Sequence, residues 1–469
     1  MTALRWPFSA ILSFVPTPSN KLILFTTRNL SRTAFALVVL VLLPLSGCDL
    51  TDSSSSEETL PPAPQTLATE WMTTINQSVQ AGKLAPNPIA RLHGYAGVAF
   101  YEGVRRAYPD RYQTLAGQVK GLRSLPTPEQ DGSYDWSTVA AVTEERVVKR
   151  LLRDEEASRA TLGRVDSLRD QQVQRRQSVG VSSAVLDRSK TYGQRLGSAI
   201  LTWARQDGAQ DIRGLPYEPP EGPQYWEPTP PRFAPALLPY WQRVRPFTIN
   251  PGTHQPPAPP EYSEDTTSTF FKQMKKVHEV SQKLSDQDIA TAEYWKGVPG
   301  LSATLPGQWV SIARRAAEKK DLGLGETARV WALLGMASHD AFISVWKSKY
   351  GFEYVRPITA VRRLIDEDWT IPIATPPFPE YSPGHSVGAG ATSGILTHAF
   401  GGAISFTDRT QTDRGYEARS FDSFQAAAEQ CGYSRVLGGV HYPVSNERGL
   451  EQGRSVAETV AEKVQLRKE

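Results

Sequence analysis

Three segments in the C-terminal half combine basic side chains with proline or glycine, and their residue types and spacing could support chemistry. The first segment places Lys349 seven residues before Arg356, which precedes Pro357. Proline disfavours helical geometry in the residue before it and suits the first turn of a new helix. Arg356 is therefore predicted to lie at a junction between helices, where side chains converge on a cavity. This pair alone is also typical of a solvated helix face.

The second segment ends a run of prolines and aromatic residues with Ser382-Pro383-Gly384-His385. A Pro-Gly turn followed by small helix-forming residues places free backbone N–H groups at His385. The positive end of the helix dipole lies at the same point. This local arrangement favours the binding of an anion.

The third segment carries Arg435 and His441 on either side of the pair Gly438-Gly439. On a continuous helix the two side chains would point about 120° apart, at ~100° per residue. Both can reach one site only if the helix loosens or ends near the glycines, which tolerate unusual backbone angles. The sequence therefore predicts a break in the helix at this pair.

Together, these segments resemble the family that joins the vanadium-dependent haloperoxidases to the type 2 phosphatidic acid phosphatases and bacterial acid phosphatases. The family's motifs are Lys-x6-Arg-Pro, Pro-Ser-Gly-His and Ser-Arg-x3-Gly-x-His, in that order. The first motif is complete from Lys349 to Pro357, the third is complete from Ser434 to His441, and the second appears at 382–385. The flanking Phe-Glu and Pro-Pro-Phe-Pro-x-Tyr sequences are similar to those of the bacterial haloperoxidase branch.

The resemblance implies a pocket for vanadate or phosphate, whose charge two Arg and one Lys nearly balance. The residues implied to bind this oxyanion are Lys349, Arg356, Ser382, Gly384 and Arg435. His441 would be the axial ligand of vanadium, or the nucleophile in a phosphatase, and His385 would be the general acid and base. Trp346 and Phe378 are candidates for a halide site, although Trp346 also fits an ordinary core position. Chloride-oxidising members resemble this chain at Phe378.

Two residues depart from the family pattern. Pro383 stands where the family has the Ser that binds the oxyanion, and this change removes a hydroxyl and a backbone N–H. Ser445 stands where many members have an Asp that orients the ligand histidine. Ser382, displaced by one position, and Asp340, as a supporting partner, are the candidate substitutes, and Asp340 fits a helix surface equally well. We expect weaker anion affinity as a result.

The predicted fold is all-α, a helical bundle of the type implied by the resemblance. Apolar residues recur at helical spacing from about residue 67, whereas alternating β-branched runs are nearly absent. Residues 67–469 are predicted to form one helical domain, with the active-site half at about 285–465. A Pro-rich connector at about 214–262 excludes regular helix, but its aromatic residues predict that it wraps against the helices. Further helices are predicted at about 137–156, 160–178, 183–205, 306–320, 326–348, 357–366, 386–400, 415–439 and 446–465.

The N-terminus is predicted to be a lipoprotein signal peptide at 1–47, followed by a disordered tether at 48–66. Basic residues precede a short apolar run, which ends in a sequence resembling the lipobox with Cys48 as the lipidated residue. An uncleaved anchor is the alternative. Either arrangement gives an extracytoplasmic protein, periplasmic or on the cell surface, held at a bacterial membrane.

Composition excludes nucleic acid as a partner, because the net charge of +3 comes from acidic and basic residues mixed along the chain. The first of three hypotheses is a haloperoxidase that uses vanadate as cofactor, with hydrogen peroxide and halide as substrates. The second is a phosphatase that needs no cofactor and hydrolyses a phosphomonoester. The third is a non-catalytic surface lipoprotein. Each is compatible with a monomer or a homodimer.

Overall fold

Helices form most of the chain in the computed structural model, which describes residues 60, 63–130 and 132–468. The helices are α1 (Leu67–Ala81), α2 (Pro86–Val104), α3 (Trp136–Asp154), α4 (Arg159–Ser178), α5 (Ser183–Ala204), α6 (Thr269–Ser281), α7 (Asp286–Trp295), α8 (Thr304–Lys319), α9 (Leu324–Phe352), α10 (Pro357–Leu364), α11 (Gly384–Phe400), α12 (Phe424–Leu437) and α13 (Pro443–Lys463). Within the described residues, the only sheet pairs β1 (Phe406–Asp408) with β2 (Arg419–Phe421), antiparallel. The predicted all-α fold class is confirmed.

The predicted signal peptide, Cys48 and most of the predicted tether lie outside the described residues. In the part of the chain that the structure does describe, no helix combines the length and apolar character needed to cross a bilayer. The lipid anchor and the localisation that depends on it stay predictions.

Helix α9 lies at the centre of the fold. Its 29 residues are buried on nearly every side, and they span ~44 Å at ~1.5 Å per residue. Helix α2 packs along one side of it and α11 along another. The helix ends at Glu353, which adopts a left-handed conformation with φ of 49°. The last turn of this buried helix therefore carries Lys349.

Two helix pairs approach so closely that only glycine fits at the contact. A β-carbon on Gly335 of α9 would lie 2.4 Å from the carbonyl oxygen of His93 on α2. A β-carbon on Gly453 of α13 would lie 2.1 Å from the carbonyl oxygen of Val387 on α11. The second contact fixes α11, which carries His385, against α13.

The Pro-rich connector wraps against the helices, as predicted. Trp226 is buried, its backbone N–H donates to the Glu353 carbonyl at 2.6 Å, and the Val355 N–H donates to the Gln224 carbonyl at 3.0 Å. Further along, the Leu237 N–H donates to the Pro377 carbonyl at 2.8 Å. The connector therefore supports the turn after α9 and the second segment at the same time. Its other large apolar groups are buried or half-buried, except for Leu215 and Phe233, which are 39% and 63% exposed.

The predicted helix at 415–439 is wrong in its first part. Residues 419–421 form β2, and α12 begins only at Phe424, where the Ser423 hydroxyl accepts from the Ala426 N–H and caps the helix. Phe421 pairs with Phe406 on β1, so burial of these aromatic rings outweighs the helical spacing of the apolar residues.

Glu326 ties the first turn of α9 to the C-terminus of the chain. Its carboxylate accepts hydrogen bonds from Tyr112 at 2.6 Å, Arg467 at 2.8 Å and Arg329 at 2.9 Å. Burial alone would raise the pKa of Glu326, but the hydrogen bonds from Arg467 and Tyr112 and the charge of Arg329 outweigh it and lower the pKa to about 2.

We therefore predict that Glu326→Gln lowers the free energy of unfolding at pH 7 by about 1–3 kcal/mol. Because the folded-state pKa is depressed, this contribution is present above pH 4.5 and is lost as the pH falls towards 2. Urea unfolding of both proteins at several pH values measures the difference, with the exposed Glu458→Gln as the control. A difference between wild type and variant that stays constant down to pH 2 would contradict the prediction.

Candidate oxyanion site

Arg356 lies at a helix junction, as the sequence predicts. It is the extended N-cap of α10, with Pro357 at the first helical position. Its side chain is fully buried. The guanidinium donates from Nε to the Phe378 carbonyl at 2.9 Å and from Nη1 to the Val440 carbonyl at 2.8 Å. Arg356 thus links the second segment to the third.

Lys349 is also fully buried and holds the second segment from the opposite side. Its ammonium group donates to the carbonyl oxygens of Pro379 at 2.7 Å and Glu380 at 3.0 Å. An ammonium group has three donors, so one remains for another acceptor. Burial lowers the pKa of Lys349 well below its usual value, and Arg356 lowers it further while Glu380 opposes that effect.

The second segment delivers His385 at the start of α11. Pro383 is the N-cap of this helix, and His385 is its second residue. His385 Nε2 lies 2.8 Å from the carbonyl oxygen of Trp295, the last residue of α7. A carbonyl only accepts, so Nε2 carries the hydrogen and Nδ1 is left to exchange a proton.

The third segment breaks at the glycine pair, which confirms the prediction. Helix α12 ends at Leu437, and Gly439 adopts φ of +71°, a value that L side chains rarely reach. Arg435 therefore lies in the last turn of α12, while His441 follows the break. Both side chains are nearly fully buried.

The structure brings the two predicted imidazoles and three predicted cations into one electrostatic environment. Arg356 Nη1 lies 3.2 Å from His441 Nε2. Burial lowers the pKa of His441 well below its usual range, and the charges of Arg356, Lys349 and Arg435 lower it further. Burial and Arg435 act in the same direction on the pKa of His385. Side chains from all three segments thus lie close enough for the charges of the three cations to act on both imidazoles.

Glu380 contacts His441 directly, although the sequence did not single it out. Its fully buried carboxylate accepts hydrogen bonds from His441 Nδ1 at 2.8 Å, the Tyr442 N–H at 3.1 Å and the Ser445 hydroxyl at 3.0 Å. Burial raises the pKa of Glu380 to about 7, and the charges of Arg356 and Lys349 limit the rise. A lone acidic residue in a run of proline and aromatic residues was the available signal.

Arg435 shows that these residues fit an anion. Its Nε and Nη1 atoms are buried and have no hydrogen-bond partner among the described residues. Native structures rarely leave buried donors unpaired, and an oxyanion supplies several acceptors at once. Among the described residues, the carboxylate that acts on Lys349 and Arg356 is Glu380, so the three cations carry two positive charges in excess when all of them are protonated and Glu380 is ionised. The donors and the charge both suit vanadate or phosphate.

Asp340 is not a partner of either site histidine, contrary to the prediction. Its carboxylate accepts from the backbone N–H groups of Phe247, Thr248 and Ile249 and from the Thr248 hydroxyl, at 2.6 to 3.2 Å. It lies about two and a half turns of α9 from Lys349, at ~3.6 residues per turn. Asp340 therefore anchors residues 247–249 of the Pro-rich connector, and Glu380 supplies the carboxylate beside His441.

Ser382 does not offer its hydroxyl to the cation cluster, although the sequence analysis included it among the oxyanion ligands. The hydroxyl is buried and donates its single proton to the Gln452 side chain on α13. Pro383 contributes neither a hydroxyl nor an N–H. The donors left in this segment are the backbone N–H groups of Gly384 and His385, which begin α11 and have no acceptor within the helix.

The two candidate halide residues lie together beside the cations. The Phe378 ring centroid is 4.8 Å from Lys349 Nζ, 5.1 Å from Arg356 Cζ and 5.2 Å from the Trp346 ring. Trp346 donates to the Leu237 carbonyl of the Pro-rich connector at 3.3 Å. This aromatic wall adjoins the cluster, and its role towards halide stays a prediction.

Comparisons with known proteins lead to one family. Residues 329–468 match the model of the VCPO second helical-bundle domain. Vanadium chloroperoxidase from Curvularia inaequalis is 32% identical over 149 residues, which cover 26% of this chain and 24% of that protein. This chain therefore matches only about a quarter of the length of its curated relative.

Solved structures match over a longer range. A bacterial vanadium-dependent iodoperoxidase aligns with a TM-score of 0.80 and 32% identity, covering 88% of this chain and 99% of that one. A holo-type bacterial vanadium-dependent chloroperoxidase aligns with a TM-score of 0.63 and 17% identity, covering 87% and 98%. The second likeness shows a shared fold.

Replacing Arg435 by Met should reveal the cost of the unpaired guanidinium. We predict that Arg435→Met raises the free energy of unfolding of the ligand-free protein by about 1–3 kcal/mol, because it removes buried unsatisfied donors. The variant should also lose most of the thermal stabilisation that orthovanadate or phosphate gives the wild type. Thermal unfolding with and without each anion measures both effects.

Arg91→Met is the matched control, because Arg91 is equally buried but is paired with Asp207 at 2.6 Å. It should destabilise the protein and leave the effect of the anion intact. An Arg435→Met protein that is less stable than wild type and still responds fully to anions would contradict the assignment.

Proposed function

Because this chain belongs to the vanadium-dependent haloperoxidase family, we propose that it oxidises a halide with hydrogen peroxide at a vanadate held by Lys349, Arg356, Arg435 and His441. The observation that carries the proposal is the buried guanidinium of Arg435, whose donors lack a partner next to a histidine and two further cations. The relative that is 32% identical along nearly its whole length is described as an iodoperoxidase, which further supports it.

The cations supply charge and directional donors in a site from which water is largely excluded. Arg435 offers the N–H groups of two nitrogens, Nε and Nη1, and Lys349 retains one donor beyond the two that bind carbonyls. Burial lowers the pKa of Arg356 to about 9 and that of Arg435 to about 10, yet both stay protonated at neutral pH. Interactions of this kind are stronger in such surroundings than in water.

The two imidazoles have separate roles in the proposal. His441 presents Nε2 as the ligand atom, while Nδ1 faces Glu380. His385 keeps the hydrogen on Nε2 bound to the Trp295 carbonyl and exchanges a proton through Nδ1. When bound, vanadate activates hydrogen peroxide towards oxidation of halide. Trp346 and Phe378 would line the approach of the halide.

A phosphatase is the competing hypothesis. Charge and shape alone do not distinguish phosphate from vanadate, so the same donors suit a phosphomonoester, with His441 as the nucleophile. The loss of the hydroxyl at Pro383 affects both hypotheses equally. It also supports the third hypothesis, a lipoprotein without activity.

The deciding experiment measures two activities on one preparation. Protein loaded with orthovanadate is assayed for peroxide-dependent halogenation of a phenol with iodide, bromide and chloride, and vanadate-free protein is assayed for hydrolysis of an aryl phosphate. We expect halogenation to occur, and iodide is the first of the three halides to be assayed. His441→Ala should reduce it by at least ~100-fold, because loss of a ligand should exceed the ~10–100-fold effect of a supporting residue.

His398→Ala, at an exposed histidine on the same helix as His385, is the control and should keep full activity. Hydrolysis without halogenation would favour the phosphatase. The absence of both activities, in protein that also fails to bind orthovanadate, would favour the non-catalytic lipoprotein.

We also propose that the mature chain begins at a lipidated Cys48 and that the enzyme is held at a bacterial membrane outside the cytoplasm, in the periplasm or on the cell surface. The basic, apolar and lipobox-like sequence before Cys48 supports this proposal. Mass spectrometry of the N-terminal peptide should find the lipid, and Cys48→Ser should move the protein from the membrane to the soluble fraction. An unmodified Cys48 in a protein that stays with the membrane would favour the uncleaved anchor.

A further inference from the structure

Glu380 touches the proposed vanadium ligand, although it occupies none of the motif positions. It lies two residues after Phe378 and is fully buried. Its Oε1 is 2.8 Å from His441 Nδ1 and 3.1 Å from the Tyr442 N–H, and its Oε2 accepts from Ser445 at 3.0 Å. Every polar neighbour of this carboxylate in the described chain can donate a hydrogen bond, so Glu380 acts as a hydrogen-bond acceptor.

The opposite side of the imidazole is held by a group that only donates. Arg356 Nη1 lies 3.2 Å from His441 Nε2. A guanidinium has five donors and no acceptor, so its contact with Nε2 requires a lone pair on that nitrogen. In a neutral imidazole the hydrogen then belongs on Nδ1, where the Glu380 carboxylate accepts it. Two independent contacts specify the same tautomer.

We infer that Glu380 is a positioning residue that holds His441 with its hydrogen on Nδ1, so that Nε2 keeps a lone pair for the vanadium. The part of this inference that concerns vanadium rests on the proposed function, whereas the tautomer of His441 does not depend on it. Metal-binding histidines usually donate their second ring N–H to a carboxylate or carbonyl, which fixes the ring orientation. Here the carboxylate comes from the segment before His385.

The inference also explains Ser445. Family members with Asp at this position carry the orienting carboxylate four residues after the ligand histidine. In this chain Ser445 instead donates to Glu380 Oε2. The carboxylate has therefore moved to another segment, and Ser445 supports it there. The substitution does not leave His441 without an orienting group.

A pair of neutral variants separates hydrogen bonding from charge. Glu380→Gln and Glu380→Leu both remove the negative charge and keep a similar size, but only Gln can still accept from Nδ1. We expect Glu380→Leu to bind orthovanadate about 10–100-fold more weakly than Glu380→Gln in equilibrium titration. Phosphate, which takes no bond from the imidazole, should bind equally to both. Equal vanadate affinity in the two variants would overturn the inference.

Relocation of the carboxylate provides a rescue. Glu380→Leu combined with Ser445→Asp returns the acid to the position that other members use, and it should recover most of the lost vanadate affinity. Glu326→Gln is the control for general destabilisation and should bind vanadate as the wild type does. A double variant no better than Glu380→Leu would count against a role in orienting His441.

The tautomer of His441 can be measured in the wild-type protein without vanadate, so the test does not depend on whether a variant folds. In wild-type protein with ¹⁵N-labelled histidine at neutral pH, we expect His441 to carry its hydrogen on Nδ1. A hydrogen on Nε2 would overturn the inference even if the halogenation assay succeeds. If the wild type fails to bind vanadate, the proposed function falls, and the tautomer still decides whether Glu380 orients His441.

Discussion

The burial of three basic side chains that repel one another, Lys349, Arg356 and Arg435, is the constraint on which this part of the fold depends. Transfer of a single ion into a protein interior costs several kcal/mol even after relaxation, and like charges add repulsion to this cost. Here one carboxylate and a set of backbone carbonyls offset it. Lys349 binds the carbonyls of Pro379 and Glu380, and Arg356 binds those of Phe378 and Val440. The loop before α11 is shaped so that its oxygens point inward.

Lys349 and Arg356 therefore have a structural role beside the one proposed for them, whereas Arg435 makes no comparable structural contacts. The first two hold the loop in place, so their charge is partly satisfied before any ligand arrives. Arg435 has no comparable support for Nε and Nη1. Its unpaired guanidinium is costly to the folded chain, and the proposed anion site rests on this observation. Functional sites commonly keep such unfavourable groups, and the surrounding packing compensates for them.

Local rules predicted the parts of the structure that depend on a few adjacent residues. Pro357 placed Arg356 at a junction, and the glycine pair ended α12 between Arg435 and His441. The strand at 419–421 could not be predicted in this way, because its partner is another segment. Helix α6 was also missed, since it follows closely on the Pro-rich connector.

The site was predictable as a set of cations and imidazoles, but its supporting contacts were not. Glu380 lies 61 residues from His441, and no spacing rule connects them. Asp340 was a reasonable choice because it shares a helix with Lys349, yet its side chain meets residues 247–249. Ser382 resembled an oxyanion ligand displaced by one position, but its hydroxyl donates its hydrogen bond to the Gln452 side chain. In each case a tertiary contact decided the role of a polar side chain.

The backbone of Tyr225 in the Pro-rich connector pairs with that of Tyr354 in the turn after α9. The connector therefore supports the proposed site, although it supplies none of the motif residues. Residues 224–226 leave the ribosome well before the turn that they later brace, so the site reaches its final form only after a long loop has closed. A fragment cut to residues 329–468 would contain all five cations and imidazoles and lack the chain that lies against them. Substitutions in the connector could therefore change the activity of the enzyme during evolution without a change in any motif residue.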